Sequence, residues 1–145
     1  AGNVALYACQ KAIKMGAKVL TMSDSSGWIY DPNGINFNII RDIKEDKKGR
    51  VKDYVSRVPG SIYTESNENN PKVWSIPCDI ALPCATQNEI DLDDAKLLVK
   101  NGCYCLCEGA NMPTSLDAIH YLIENNVIFN MENNRIPSHY DLHIN

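Results

Sequence analysis

"GNVALYACQKAIKMGAKVLTMSD", residues 2–24, decides the fold. Val4, Ala5, Ala8, Cys9, Ala12 and Ile13 recur at helical spacing and predict one apolar face. Gly16 closes that helix as the residue just past its cap. Lys18 to Ser23 then reads as a short β-rich run. Gly2-Asn3-Val4-Ala5 matches the second half of the dinucleotide fingerprint G-x-G-x-x-G/A, with Ala5 in the third slot. A glycine at position 2 lets a pyrophosphate approach the backbone, and the following helix offers that anion its free amides and positive dipole end. The plain alternative for this half-motif is a helix start capped by glycine. Asp24 adds an independent signal. It lies 22 residues beyond Gly2, at the end of the next strand. Dinucleotide folds place an acid there to meet the adenosine ribose, and the plain alternative is a turn residue in "SDSSG".

On general grounds Asp24 favours NAD, because a carboxylate repels the 2′-phosphate of NADP. Ser25 and Ser26 offer hydroxyl donors to such a phosphate, and Lys44 and Arg50 offer charge if the fold brings them near. These residues alone leave the choice between NAD and NADP open.

Downstream, "DSSGWIYDPNG" is dense in turn formers. Ile39, Ile40 and Ile43 predict a second helix that breaks near Gly49, and Val51, Tyr54 and Val55 a short helical turn. Ser61–Thr64 reads as a strand, and "ESNENNPK" as a loop. "CDIALP" (78–83) is a strand ended by Pro83. "DLDDAKLLVKNG" is a helix with Asp91 as N-cap, Asp94 at its third position and Gly102 at its end. "CYCLC" (103–107) is the next strand. "TSLDAIHYLIENN" is a helix with Thr114 and Asp117 shaped like a capping box, and "VIF" (127–129) is a final strand. Helices alternating with apolar strands predict an α/β fold: a Rossmann-like, mostly parallel sheet with helices on both faces, lacking the usual first strand. Residues 1–130 form a partial dinucleotide-binding domain, followed by an atypical tail at 131–145.

A chain of 145 residues buries roughly 68–70% of its unfolded surface, enough for a real core. The net charge of −4 argues against nucleic acid as a partner. The basic cluster Lys47, Lys48, Arg50 and Lys52 reads as a solvated helix end. No apolar run reaches the roughly 18 residues of a membrane span, so no membrane partner is expected. The six cysteines, Cys9, Cys78, Cys84, Cys103, Cys105 and Cys107, sit at positions that read as reduced, buried thiols in a cytosol-like compartment. Cys103, Cys105 and Cys107 alternate along one strand, so a buried strand face is expected there and no metal site. Cys84 has no obvious histidine base. His120 reads as a structural or surface histidine. His139 and His143 belong to the tail. Trp28 and Tyr30 either approach an adenine or cover the sheet edge.

Three stretches carry a resemblance. "GNVALYACQKAIKMGAKVLTMSDSSGWIYDPNG" (2–34), "DIALPCATQNEIDLDDAKLLVKNG" (79–102) and "EGANMPTSLDAI" (108–119) resemble the coenzyme-binding domain of hexameric, NADP-type glutamate dehydrogenases. The similarity runs from Gly2 to about Phe129. It implies an oxidoreductase that catalyses the reversible oxidative deamination of L-glutamate to 2-oxoglutarate and ammonia, as a cytoplasmic homohexamer. It also implies the cofactor contacts. Gly2, Asn3 and Val4 line the pyrophosphate turn, and Asp24 and Ser25 meet the adenosine ribose and its phosphate. Lys44 and Arg50 hold the 2′-phosphate. Ala85, Thr86 and Gln87 follow a strand end, and Asn111 lies near the nicotinamide ribose. "SDSSG" resembles the NADP-type members, whereas NAD-type members tend to carry glycine at the acidic place. NADP is therefore expected over NAD.

The sequence departs from that family in three places. The opening strand and first motif glycine are missing. The segment between Gly34 and Ile39 is shorter, which is expected to shift Lys44. After Phe129 the chain reads "NMENNRIPSHYDLHIN" in place of the family's continuation. The family's catalytic lysine and aspartate belong to a preceding domain, so no catalytic residue is assigned in this chain, which is expected to bind cofactor without turnover. The alternative is a truncated, non-catalytic relative acting as an interaction module, which the missing central strand favours.

Overall fold

A computed structural model describes residues 2–130. Ala1, the 131–145 tail and its histidines His139 and His143 lie outside the described residues. The chain divides into two compact units, the first ending at Val73 and the second beginning at Trp74.

The first unit starts with α1 (Asn3–Lys14), followed by β1 (Thr21–Asp24) and β2 (Gly27–Tyr30). Next comes α2 (Phe37–Arg41), which runs straight into a π-helical turn at Asp42–Asp46. The unit continues with α3 (Asp53–Arg57) and β3 (Ile62–Glu65). Gly2 is the N-cap of α1, and Gly16, at φ +91°, ends it as expected. The predicted face packs in part, with Cys9 in the core and Ala5 against it. Leu6 and Cys9 are buried, one helical turn apart, while Val4 is exposed.

The three strands form an antiparallel meander in the order β1-β2-β3. β2 was not anticipated: the turn-rich stretch conceals a four-residue strand between the turns at Ser25–Ser26 and Asp31–Gly34. Met22 and Ile29 are cross-strand partners and face a core that also holds Leu6, Cys9, Ile35, Ile40, Ile43, Val51 and Tyr54. Trp28 sits on the opposite face, and its Nε1–H donates to the Pro71 carbonyl at 3.0 Å. That bond ties the central strand of the meander to the loop after β3.

The second unit holds β4 (Ile80–Ala81), α4 (Leu92–Lys100), β5 (Cys105–Cys107), α5 (Leu116–Glu124) and β6 (Ile128–Asn130). Its strands are parallel, ordered β4-β5-β6. This is the expected sheet, with strands joined through crossover helices. Ala81, Leu106 and Phe129 present one sheet face to Ala95 and Leu98 of α4 and to Ala118, Ile119 and Leu122 of α5. Both helices therefore cover the same face.

The N-terminus of α4 is built as read. The Asp91 carboxylate accepts the Asp94 amide at 2.9 Å, and Asp94 accepts the Asp91 amide at 3.0 Å. At α5 the cap is Ser115 in place of Thr114. Thr114 is fully buried and drawn into a parallel bridge with Ile90, so the helix begins one residue later. The Ser115 hydroxyl donates to Asp117 at 2.6 Å. The cysteine strand also differs from expectation. Leu106 faces the core, which puts the half-buried Cys105 and Cys107 on the other face. Cys103 is buried but precedes the strand.

Candidate functional site

The first cluster is built around the turn between β1 and β2. Asp24 is the last residue of β1, and Ser25 and Ser26 make the turn. Asp24 Oδ1 accepts both the amide and the hydroxyl of Ser26, at 2.8 and 2.6 Å. Its Oδ2 accepts the Val51 amide at 2.9 Å and Lys44 Nζ at 3.2 Å. Each carboxylate oxygen thus already holds two donors from the chain itself. Burial pushes the Asp24 pKa up, but the Ser26 hydroxyl, the Val51 and Ser26 amides and the Lys44 ammonium outweigh it. They hold the carboxyl well below the usual carboxylate range.

The turn is pinned from its other side. The Ser26 carbonyl accepts the Tyr63 hydroxyl at 2.7 Å and the Ser66 amide at 3.0 Å. Gly27 follows with no room to spare, because a Cβ there would collide with the Thr64 carbonyl oxygen and the Tyr63 ring.

Lys44 comes from the π-helical turn, and its ammonium also donates to the Gly49 carbonyl at 3.2 Å. The shorter preceding segment does not carry it out of reach of Asp24. The Gly49 amide bonds the Ile43 carbonyl at 2.7 Å and ends the turn. The next residue, Arg50, is exposed. Its guanidinium donates to the exposed Ser25 hydroxyl at 2.8 Å, and its amide is held by Asp53 at 3.0 Å. The cluster combines two cations with one carboxylate. Asp24 neutralises the nearly buried Lys44, and the surplus charge lies at the surface on Arg50, beside a hydroxyl. A guanidinium beside a hydroxyl can hold a phosphate monoester.

Gly2, Asn3 and Val4 take no part in these bonds. They form the exposed start of α1, where no side chain caps the first amides. A Cβ at Gly2 would meet nothing within 4 Å, so the chain's own packing does not require glycine there. A closely approaching phosphate does require it.

In the second unit the other candidates come together where the parallel strands end. The loop after β4 carries Ala85, Thr86 and Gln87, and the loop after β5 carries Asn111; all four are exposed. The Gly109 amide bonds the Pro83 carbonyl at 2.9 Å, the Asn88 amide bonds Met112 at 3.0 Å, and the Ile90 amide bonds Pro113 at 2.9 Å. The loops therefore run side by side at the carboxyl edge of the sheet, where open α/β folds bind ligands. Asn88 and Met112 both adopt left-handed backbone, at φ +57° and +49°. Such conformations concentrate at functional sites.

Sequence reasoning missed Glu89, whose carboxylate accepts the amides of Ala85 and Thr86 and so shapes that loop. Burial raises its pKa in spite of these two donors. Its only trace in the sequence was a carboxylate a few residues beyond the loop. Among the described residues no group of three or more His, Cys, Asp or Glu is arranged to hold a metal ion. Nor is any helix there long and apolar enough to cross a membrane. All six cysteines are free.

The chain is similar to known proteins over most of its length. A family model described as Glutamate/Leucine/Phenylalanine/Valine dehydrogenase matches residues 1–133. The NADP-specific glutamate dehydrogenase of Haemophilus influenzae is 50% identical over 131 residues, covering 88% of this chain and 28% of that protein. The NADP-specific glutamate dehydrogenase of Helicobacter pylori strain J99 is 46% identical over 127 residues, 85% of this chain and 28% of its own length. Among solved structures, Plasmodium falciparum glutamate dehydrogenase superposes with a TM-score of 0.82 at 49% identity, over 89% of this chain and 27% of that one. The chain thus spans about 28% of the length of the curated relatives it matches.

Proposed function

The chain belongs to the Glutamate/Leucine/Phenylalanine/Valine dehydrogenase family, and from that premise we propose that it is the coenzyme-holding part of a glutamate dehydrogenase that uses NADP(H). The observation that carries this reading is the Ser25–Arg50 pair. A guanidinium and a hydroxyl lie 2.8 Å apart at the surface, anchored on the Asp24–Lys44 contact beneath. In this reading Arg50 and Ser25 hold the 2′-phosphate. Lys44 adds field from behind, and Asp24 acts mainly by fixing Lys44 and the backbone at Val51. Gly2, Asn3 and Val4 offer α1 amides to the pyrophosphate. Ala85, Thr86, Gln87 and Asn111 receive the nicotinamide end. The coenzyme, when bound, supplies the hydride chemistry. The complete enzyme interconverts L-glutamate with 2-oxoglutarate and ammonia, as a cytoplasmic homohexamer whose catalytic lysine and aspartate lie outside the present sequence.

The test is titration of the folded chain with NADPH and NADH, following nicotinamide fluorescence. NADPH is expected to bind saturably and more tightly than NADH. Arg50→Ala should cost NADPH about ten- to a hundredfold in affinity, the range of a lost charged hydrogen bond, and leave NADH nearly unchanged. Equal affinity for the two nucleotides would overturn the NADP assignment. A folded chain that binds neither would transfer the reading to a non-catalytic interaction module.

A further inference from the structure

We propose that Cys105 and Cys107 form a dithiol that chelates a thiophilic trivalent centre, an organic arsenoxide being the representative ligand. The two residues stand two apart on β5 and project from the same face. Their sulfurs are 3.8 Å from each other. The face is open. The cross-strand partners of Cys105 are Ile80 and Ile128, which share its side of the sheet and are 45% and 47% exposed. Both helices of the unit cover the opposite side. The pair is therefore reached between two apolar side chains that suit an aryl substituent on the incoming atom.

The spacing selects the chemistry. A direct disulfide would draw the sulfurs from 3.8 Å to about 2.05 Å, against the extended strand that sets them apart. One bridging atom bonded to both sulfurs needs no such movement. With an arylarsenoxide, two As–S bonds form as the As–O linkage breaks. The oxygen leaves as water carrying both thiol protons, and arsenic stays trivalent, so no oxidant or reductant is required. Burial and the neighbouring Cys107 raise the Cys105 thiol to about 12. That is no obstacle, because the thiol proton passes to the departing oxygen. Among the described residues no group of three or more His, Cys, Asp or Glu is arranged to hold a metal ion, and the pair suits a centre satisfied by two sulfurs. It is independent of the nucleotide reading above.

The experiment treats the chain with phenylarsine oxide and maps the adduct by peptide mass spectrometry. The expected result is one phenylarsenic group per chain, on the peptide containing Cys105 and Cys107. It should survive excess monothiol and be removed by a competing dithiol. Closing the second bond within one site increases retention about 10²–10⁴-fold, so Cys105→Ser and Cys107→Ser should each lose the adduct to monothiol, while Cys9→Ser should not. The map of the unmutated chain decides the matter even where a serine variant fails to fold. No adduct, an adduct placed on Cys78 or Cys103, or one that either serine variant retains would overturn the proposal.

Discussion

Lys44 Nζ stands 3.2 Å from Asp24 Oδ2, and the two side chains retain only 14% and 6% of their exposure. Removing the carboxylate leaves the Val51 amide without its acceptor and a nearly buried ammonium without its counter-charge, held by the Gly49 carbonyl alone. Asp24→Ala is expected to cost roughly 3 kcal/mol or more, the range for breaking a buried pair. Urea unfolding with an unchanged slope and a lowered midpoint checks it. The pH dependence follows from the depressed carboxyl pKa. Below the ordinary value of about 4 the unfolded chain takes up a proton that the folded chain refuses. This contribution is therefore present above that value and is lost as pH falls below it. Asp24→Asn should flatten that acid limb.

The Tyr54 hydroxyl donates to Asp31 Oδ2 at 2.7 Å and accepts the Asn36 amide at 2.8 Å, with Asp31 itself buried. Tyr54→Phe strands both partners and should destabilise the fold by about 1–3 kcal/mol. Burial, and then Asp31, push the phenol up to about 12. The folded chain holds this proton longer than the unfolded one, so stability should fall as pH rises from about 10 towards 12. Ultraviolet titration of the wild type should show a late-ionising component that the variant lacks.

Gly27→Ala places a methyl group against the Thr64 carbonyl oxygen and the Tyr63 ring. The obstacle is backbone, so β2 and β3 must separate. The expected loss is about 1–3 kcal/mol or more. The Trp28 indole, bonded to Pro71 at 3.0 Å, should report the opening as a change in fluorescence.

Asp91→Ala removes half of a reciprocal cap at α4. The expected cost is about 1 kcal/mol, read as a lowered thermal midpoint with nucleotide affinity unchanged.

The α4 cap was legible because its partners are three residues apart, and the glycine ending at Gly16 was legible for the same local reason. β2 was hidden. Its four residues lie between two turns, and one of its two partners, β3, is more than thirty positions away. The cap of α5 was misplaced by one residue because Thr114 answers to Ile90, a distant neighbour. In the first cluster Asp24, Ser25, Lys44 and Arg50 could be named from residue type and position. The donors that complete it could not, because the Val51 amide and the Gly49 carbonyl are backbone groups, which any residue possesses. Glu89 went unnoticed because its role is to receive two amides of a loop, and no motif records that.

The π-helical turn at Asp42–Asp46 winds one residue more loosely than the helix it follows. An α-helix rotates about 100° with each residue. Deleting a single residue of the turn itself, ahead of Lys44, would tighten it and swing that ammonium away from Asp24, although every side chain of the cluster would still be present. On the reading proposed above, discrimination between the two coenzymes is then encoded partly in chain length. A lineage could lose or regain it through one small insertion or deletion, without any substitution among the residues that touch the phosphate.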